Sequence, residues 1–349
     1  MTNFLFIIAL TAFFATLFQW AFRRLPGESW QFIAAVPSKR KDSDSWRAVN
    51  LTYYGFFNAF ACVFSCAMVF LLMASIGAPF VSTFLIVILL IMICYPAARV
   101  VARLVEGKKH TLTIGGASFV GFLILPWLVL LLNEIGGNII GQVPTVQFLA
   151  AVAIAYAFGE AFGRMACISF GCCYGKLIWH SPILVQKFLR GACFVFRGET
   201  KKVAYESGMS GMPLVPIQAV TAIVSTAAGL LGVWFFLNQQ WGTAVIVPVA
   251  ATQVWRVLSE TLRADYRGDG RISVYQIMAL LAVVYSIGVL LLLDPLVSSA
   301  PDITAGLRFL FTAKAIVILQ TIWVSVFLFL GRSSVTSSDL SFHVVRDRI

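Results

Sequence analysis

Apolar runs of about 20 residues recur along this 349-residue chain, the length a helix needs to cross the hydrocarbon of a bilayer. No other feature constrains the fold as strongly. Backbone in lipid must satisfy its own hydrogen bonds, and a helix does so within one segment. Composition agrees, with 60% hydrophobic and 12% charged residues, where a soluble domain carries about 25% charged. The runs predict spans near 3–22, 51–76, 79–98, 112–133, 145–163, 216–237, 243–263, 274–293 and 307–330. The expected fold class is an all-α integral membrane protein, a polytopic bundle of about nine spans with no separate soluble domain. The first run outlasts the apolar part of a signal peptide and lacks both a positive n-region and a small-residue cleavage site. It reads as a retained helix.

Two connections exceed a tight turn. Residues 23–50 contain RRLPGES and SKRKDSDSWR and read as polar loop. Residues 164–215 mix aromatics with Lys187, Arg190, Arg197, Lys201 and Lys202, and end in ESGMSGMP, which predicts a small cap between spans 5 and 6. The expected organisation is an extra helix and basic loop over 1–50, a membrane core over 51–293, and an extra helix with a polar tail over 294–349. Net charge is +11, and it is lopsided. With nine crossings, one side takes 23–50, 99–111, 164–215, 264–273 and 331–349. The connections expected on the other side hold no Lys or Arg. The positive-inside rule then puts the polar face in the cytoplasm and the N-terminus outside. Attraction to anionic lipid is a second source of such a bias.

Charges inside spans are costly and normally face a cavity or a partner. Arg256, Glu260 and Arg263 sit at i, i+4 and i+7, one helix face. Two readings stand open. Arg256 and Glu260 bridge while Arg263 snorkels to the interface, or the arginines bind a phospholipid phosphate, which a planar guanidinium grips with two parallel hydrogen bonds. Arg164 ends another apolar run behind Gly159 and Gly163, with Glu160 one turn earlier as a plain partner. Two guanidinium groups from separate helices, meeting at one depth, would clamp a phosphodiester. Cys62, Cys66 and Cys94 read as packing. Cys167, Cys172 and Cys173 lack the C-x2-C pairs of a structural zinc site. Cys193 and His180 would extend them to a ligand set, but packing or a thiol role is the expectation, with no metal and no cofactor. RGDG at 267–270 reads as a turn. Of the three histidines, His110 carries no assignment and His343 reads as solvated. Nothing points to nucleic acid.

Five stretches, in order from about 51 to 293, resemble the bacterial phosphatidylglycerol–prolipoprotein diacylglyceryl transferases. LTYYGF (51–56) is similar to the family's Tyr-Gly opening of its first core helix. GGASFVGF (115–122) resembles its Gly-Gly-x-Ser-Phe-His-Gly stretch. GRMACISFGCCYG (163–175) resembles the signature that begins Gly-Arg-x-Gly-Asn, in a Gly-Cys-Cys-x-Gly form. VPIQA (215–219) resembles its Pro-x-Gln element, and WRVLSETLR (255–263) with ISVYQ resembles its Arg-x-x-x-Glu-x-x-Arg helix. The resemblance implies transfer of a diacylglyceryl group from phosphatidylglycerol to a lipoprotein-precursor cysteine in the bacterial inner membrane, with release of glycerol phosphate. It implies Arg164 and Arg256 as the essential arginines, with Tyr54 as a catalytic hydrogen-bond donor. Gly163, Cys167, Gly175, Glu260 and Arg263 match substrate-contact positions, Glu260 orienting the arginines. Departures are specific. Val120 stands for the family histidine, Cys167 for the signature asparagine, Cys172 for the signature glutamate and Thr252 for a tyrosine. Donor recognition therefore looks inherited, while the acceptor, a protein or a small molecule, looks open. His180 and Cys172 are the candidates for a replacement base or thiol. A rival reading keeps the clamp without chemistry, as a scaffold or flippase for anionic phospholipid. The family core holds its signature near the outer face, so an extra first span with its N-terminus outside predicts an inverted core.

Overall fold

A computed structural model describes residues 2–107, 112–266, 272–294 and 299–349. RGDG at 267–270, expected to form a turn, and His110 lie outside these residues. The elements run α1 (Thr2–Arg24), β1 (Phe32–Arg40), β2 (Trp46–Thr52), α2 (Tyr53–Ser75), α3 (Phe80–Glu106), α4 (Ile114–Ile140) and α5 (Thr145–Phe170). The cap follows as α6 (Ile183–Leu189), β3 (Phe194–Val195), α7 (Lys202–Ser207) and β4 (Pro213–Leu214). The chain then continues through α8 (Ile217–Leu237), α9 (Trp241–Glu260), α10 (Val274–Leu292), α11 (Ile303–Leu310), α12 (Ala313–Leu330) and β5 (Arg332–Leu340). Among the described residues nine helices are long and apolar enough to cross a membrane: α1 to α5, α8, α9, α10 and α12. The chain is a multi-pass membrane protein.

Helix α5 is the axis of the bundle, buried over nearly its whole length against α2, α8 and α9. Its sequence, AAVAIAYAFGEAFG, explains why. Helices in lipid gain little from hiding apolar surface, so they associate where small side chains let backbones approach. At Gly159 an added Cβ would sit 2.2 Å from Ser65 Oγ, and that hydroxyl donates to Ala155 O at 3.0 Å. Helices α3 and α12 are peripheral and present most of their side chains outward.

The structure departs from the sequence expectation in three places. First, α5 runs on to Phe170, where Gly171 ends it at φ 71°. Arg164 and Cys167 thus belong to its last two turns rather than to the cap, because Glu160 neutralises the arginine inside the helix. Second, residues 23–50 are no loop. β1 and β2 form a hairpin, and β5 adds to β2, giving an antiparallel sheet of order β1-β2-β5. Asn50 joins it from within, its Oδ1 accepting from Ser338 Oγ at 2.6 Å. Pro37, which has no N–H to give a ladder, lies on edge strand β1. Third, the last span breaks at Phe311–Thr312, where Thr312 caps α12 by accepting from Ala315 N. Helix α11 packs where α2 ends: Gly306 lies against Leu71 O, and Asp302 N donates to Ser75 O at 2.8 Å. Arg308 and Lys314 therefore sit on the side expected to hold no cation, with Lys314 Nζ over the Phe80 ring at 4.5 Å.

Candidate functional site

Tyr156, Glu160 and Arg164 occupy i, i+4 and i+8 of α5, one face of the helix. That face meets Arg256 of α9. Glu160 Oε1 accepts from Arg164 Nη2 at 2.5 Å and from Arg256 Nη2 at 2.7 Å. Two guanidinium groups from separate helices thus share one carboxylate oxygen. Glu160 Oε2 accepts from Tyr156 Oη at 2.7 Å. That phenol oxygen accepts in turn from Arg256 Nη2 at 2.8 Å and Gln253 Nε2 at 3.1 Å. Of the two open readings of the α9 charges, the Arg256–Glu260 bridge is not formed; Arg256 crosses to Glu160 instead. An added Cβ at Gly115, at the start of α4, would lie 2.7 Å from Arg256 Nη1, so that glycine makes room for the guanidinium.

Two cations against one carboxylate leave this buried group one positive charge in excess. The side chains of Arg164 and Arg256 are 10% and 11% exposed, and Glu160 4%. Nε of Arg164 and Nε of Arg256 are both buried without a hydrogen-bond partner. Leaving buried donors unmade costs about 1–3 kcal/mol each, more when charged, and an anion with several acceptor oxygens would satisfy them.

Arg263 lies outside this cluster. Asp265 grips it with two bonds, Nε to Oδ1 at 2.7 Å and Nη2 to Oδ2 at 2.6 Å, and Glu260 Oε1 stands 3.5 Å from Nη1. Glu260 touches Arg263 and Ser273 rather than Arg164 or Arg256. The Arg263 backbone does separate work. It bridges Gly175 as an isolated antiparallel pair, flanked by Lys176 N to Leu262 O at 2.9 Å and Ala264 N to Tyr174 O at 3.1 Å. Gly175 is required by space, since a Cβ there would fall 2.4 Å from Val215 O. Gly163 is not, with Ala61 Cβ the nearest atom at 3.9 Å.

Immediately beyond Arg164, the turn ending α5 gathers Cys167, Cys172 and Cys173, their sulfurs all within 4.8 Å of one another. Cys173 holds a left-handed backbone, φ 55°, and its Sγ lies 3.9 Å from that of Cys167. Gln218, from the VPIQA stretch, fixes the turn through Nε2 to Cys172 O at 2.8 Å. Tyr54 packs its ring on Phe170 at 5.4 Å between centroids and sits beside the three thiols. His180 is exposed beside Trp179, and Cys193 donates to Leu189 O and Arg190 O, so neither joins the thiol cluster. The sequence reading missed Tyr156 and Gln253. The Tyr-x3-Glu-x3-Arg spacing on α5 was the available signal for Tyr156; Gln253 had none, since its contact is interhelical.

The family model for prolipoprotein diacylglyceryl transferase matches residues 45–292, most of the chain. The chain belongs to that family. The matched residues run from β2 to α10 and include both the arginine pair and the thiol turn. Over 130 residues it is 27% identical to phosphatidylglycerol–prolipoprotein diacylglyceryl transferase 2 of Clostridium perfringens (strain 13 / Type A), a match covering 37% of this chain and 44% of that relative. The chain thus aligns with less than half the length of this curated member of the prolipoprotein diacylglyceryl transferase family.

Proposed function

We propose that this protein is a membrane transferase that moves the diacylglyceryl group of phosphatidylglycerol, or a related anionic phospholipid, to an acceptor nucleophile. The observation that carries the reading is the convergence of Arg164 and Arg256 on one Glu160 oxygen, with excess positive charge and a buried unpaired Nε on each. A headgroup phosphate meets that need. As the carbon–oxygen bond to phosphate breaks, charge grows on the departing glycerol phosphate, and fixed cations in a water-poor setting stabilise that charge more than the ground state. Glu160 and Tyr156 hold Arg256 in place for the leaving group, while Arg263 braces the turn that carries the thiols. The family's default acceptor is a lipoprotein-precursor cysteine, and the inner membrane its setting.

Purified protein given labelled phosphatidylglycerol and a cysteine peptide should release glycerol phosphate. Arg164→Ala or Arg256→Ala should reduce kcat/KM by about 100-fold or more, the scale of losing a preorganised oxyanion contact. Val120, in place of the family histidine, favours a second reading, a phospholipid-binding scaffold. Lipid binding that depends on both arginines, with no turnover for any thiol, would establish the scaffold instead.

A further inference from the structure

The C-x4-C-C spacing argues against zinc in the linear sequence, and folding removes the objection. Three thiols from the end of α5 and its turn are already gathered, and the turn is locked by Gln218, by the Gly175–Arg263 bridge and by Val215 N to Lys176 O. Zinc–sulfur bonds of about 2.3 Å in a tetrahedron place sulfurs about 3.8 Å apart. The Cys167–Cys173 separation is 3.9 Å, and the widest is at most 4.8 Å, so closing on an ion takes a contraction of no more than about 1 Å. Arg164, Arg263 and Lys202 act electrostatically on these sulfurs, while each also pairs with a carboxylate. Among the described residues no fourth His, Cys, Asp or Glu completes the group. Three protein ligands among the described residues match the ligand count of a catalytic zinc, where a structural one has four. Cys167 and Cys172 are buried whereas Cys173 is partly exposed, which leaves the open position an approach.

We propose that Cys167, Cys172 and Cys173 hold a zinc-class divalent cation whose fourth position takes the acceptor thiol. The acceptor half of this inference rests on the transferase reading above. A thiol bound to such a cation is deprotonated, its proton passing to water, so the missing base at Val120 is not needed. The bound sulfur attacks the diacylglyceryl carbon next to the phosphate oxygen. A sulfur–carbon bond forms, the carbon–oxygen bond breaks, and glycerol phosphate leaves with the electron pair, its charge met by the Arg164 and Arg256 guanidinium groups.

The test uses the full chain, reduced and free of metal, titrated with Zn(II) and with Co(II). The expected result is one equivalent bound, a thiolate-to-cobalt charge-transfer band, and zinc protection of Cys167, Cys172 and Cys173, but not Cys193, from alkylation read by mass spectrometry. The protection measurement needs no variant, so misfolding cannot mimic it. Cys167→Ser, Cys172→Ser and Cys173→Ser should each weaken zinc binding beyond the roughly 100-fold felt for outer-shell partners, and Cys193→Ser should not. Thiol transfer should vanish with chelation and return with zinc. Arg256→Ala, which lies away from the sulfurs, should abolish transfer while leaving one equivalent of zinc bound. Failure to take up zinc, protection spread evenly over the seven cysteines, or full transfer after metal removal would overturn the proposal. Zinc bound as described without transfer to any thiol would leave the metal site standing and overturn the transferase reading.

Discussion

Glu160 is the residue on which the arginine pair depends. Its carboxylate is surrounded by Arg164, Arg256 and Tyr156, and removing one partner of a buried ionic group is worse than never having built it, because the remaining charges stay desolvated. Glu160→Gln should therefore destabilise the folded protein by about 3 kcal/mol or more, read as a lower unfolding midpoint in detergent. Arg164→Met added to Glu160→Gln should recover part of that loss, since one stranded cation is gone. A Glu160→Gln protein as stable as wild type would mean the two guanidinium groups are not mutually dependent. The pattern was half legible. Arg164 and Arg256 stand out as charges within apolar runs, and Glu160 is visible one turn before Arg164. That Arg256 chooses Glu160 over its own-helix Glu260 is not, because the choice depends on how α5 and α9 cross.

Among the elements, the cap is tied to α5 and to the end of α1 by one buried lysine. Lys201 Nζ donates to Ser169 O at 2.6 Å and Leu25 O at 3.2 Å, and its side chain is fully buried. Burial brings its pKa down from 10.5 to about 8, against a smaller opposing pull from Glu28. The sign follows from proton counting. Below about pH 8 both states hold the proton and the folded one bears the full cost of a buried ammonium. Between about 8 and 10.5 the unfolded chain binds more protons than the folded, so stability rises with pH; above that window it is flat. The melting temperature of wild type relative to Lys201→Met should climb between pH 8 and pH 10, and a flat difference would contradict the depressed pKa. The sequence placed Lys201 among the basic residues of the cap without assigning it a partner. That one of them turns inward could not be read from a sequence in which Lys201 and Lys202 look alike.

For the whole molecule, the sheet fixes a parity. β2 leads into α2 and β5 follows α12, yet the two strands pair, so they lie on one side of the bundle and an even number of crossings must separate them. The eight spanning helices from α2 to α12, omitting the short α11, satisfy this. The same side carries the cap and the ends of α5 and α9, and hence the arginine pair and the thiols. The sequence division into an N-terminal extra, a core and a C-terminal extra has its outer pieces joined in this sheet. Even with Arg308 and Lys314 on the opposite side, the excess of Lys and Arg on the sheet side predicts a cytoplasmic location for it. Ser43→Cys, in the exposed turn between β1 and β2, with the native cysteines replaced, should stay unlabelled by an impermeant thiol reagent in intact cells and react after lysis. Labelling in intact cells would put the site on the outer face.

The sequence by itself determined the membrane, the approximate spans, the family and the charged residues that do not belong in lipid, because each of these is local in the chain or carried by a short motif. Tertiary structure decided the pairings: Arg256 with Glu160, β2 with β5, and Lys201 with two carbonyls. Such contacts depend on where one element crosses another, and linear spacing holds no information about a distance set by packing between helices.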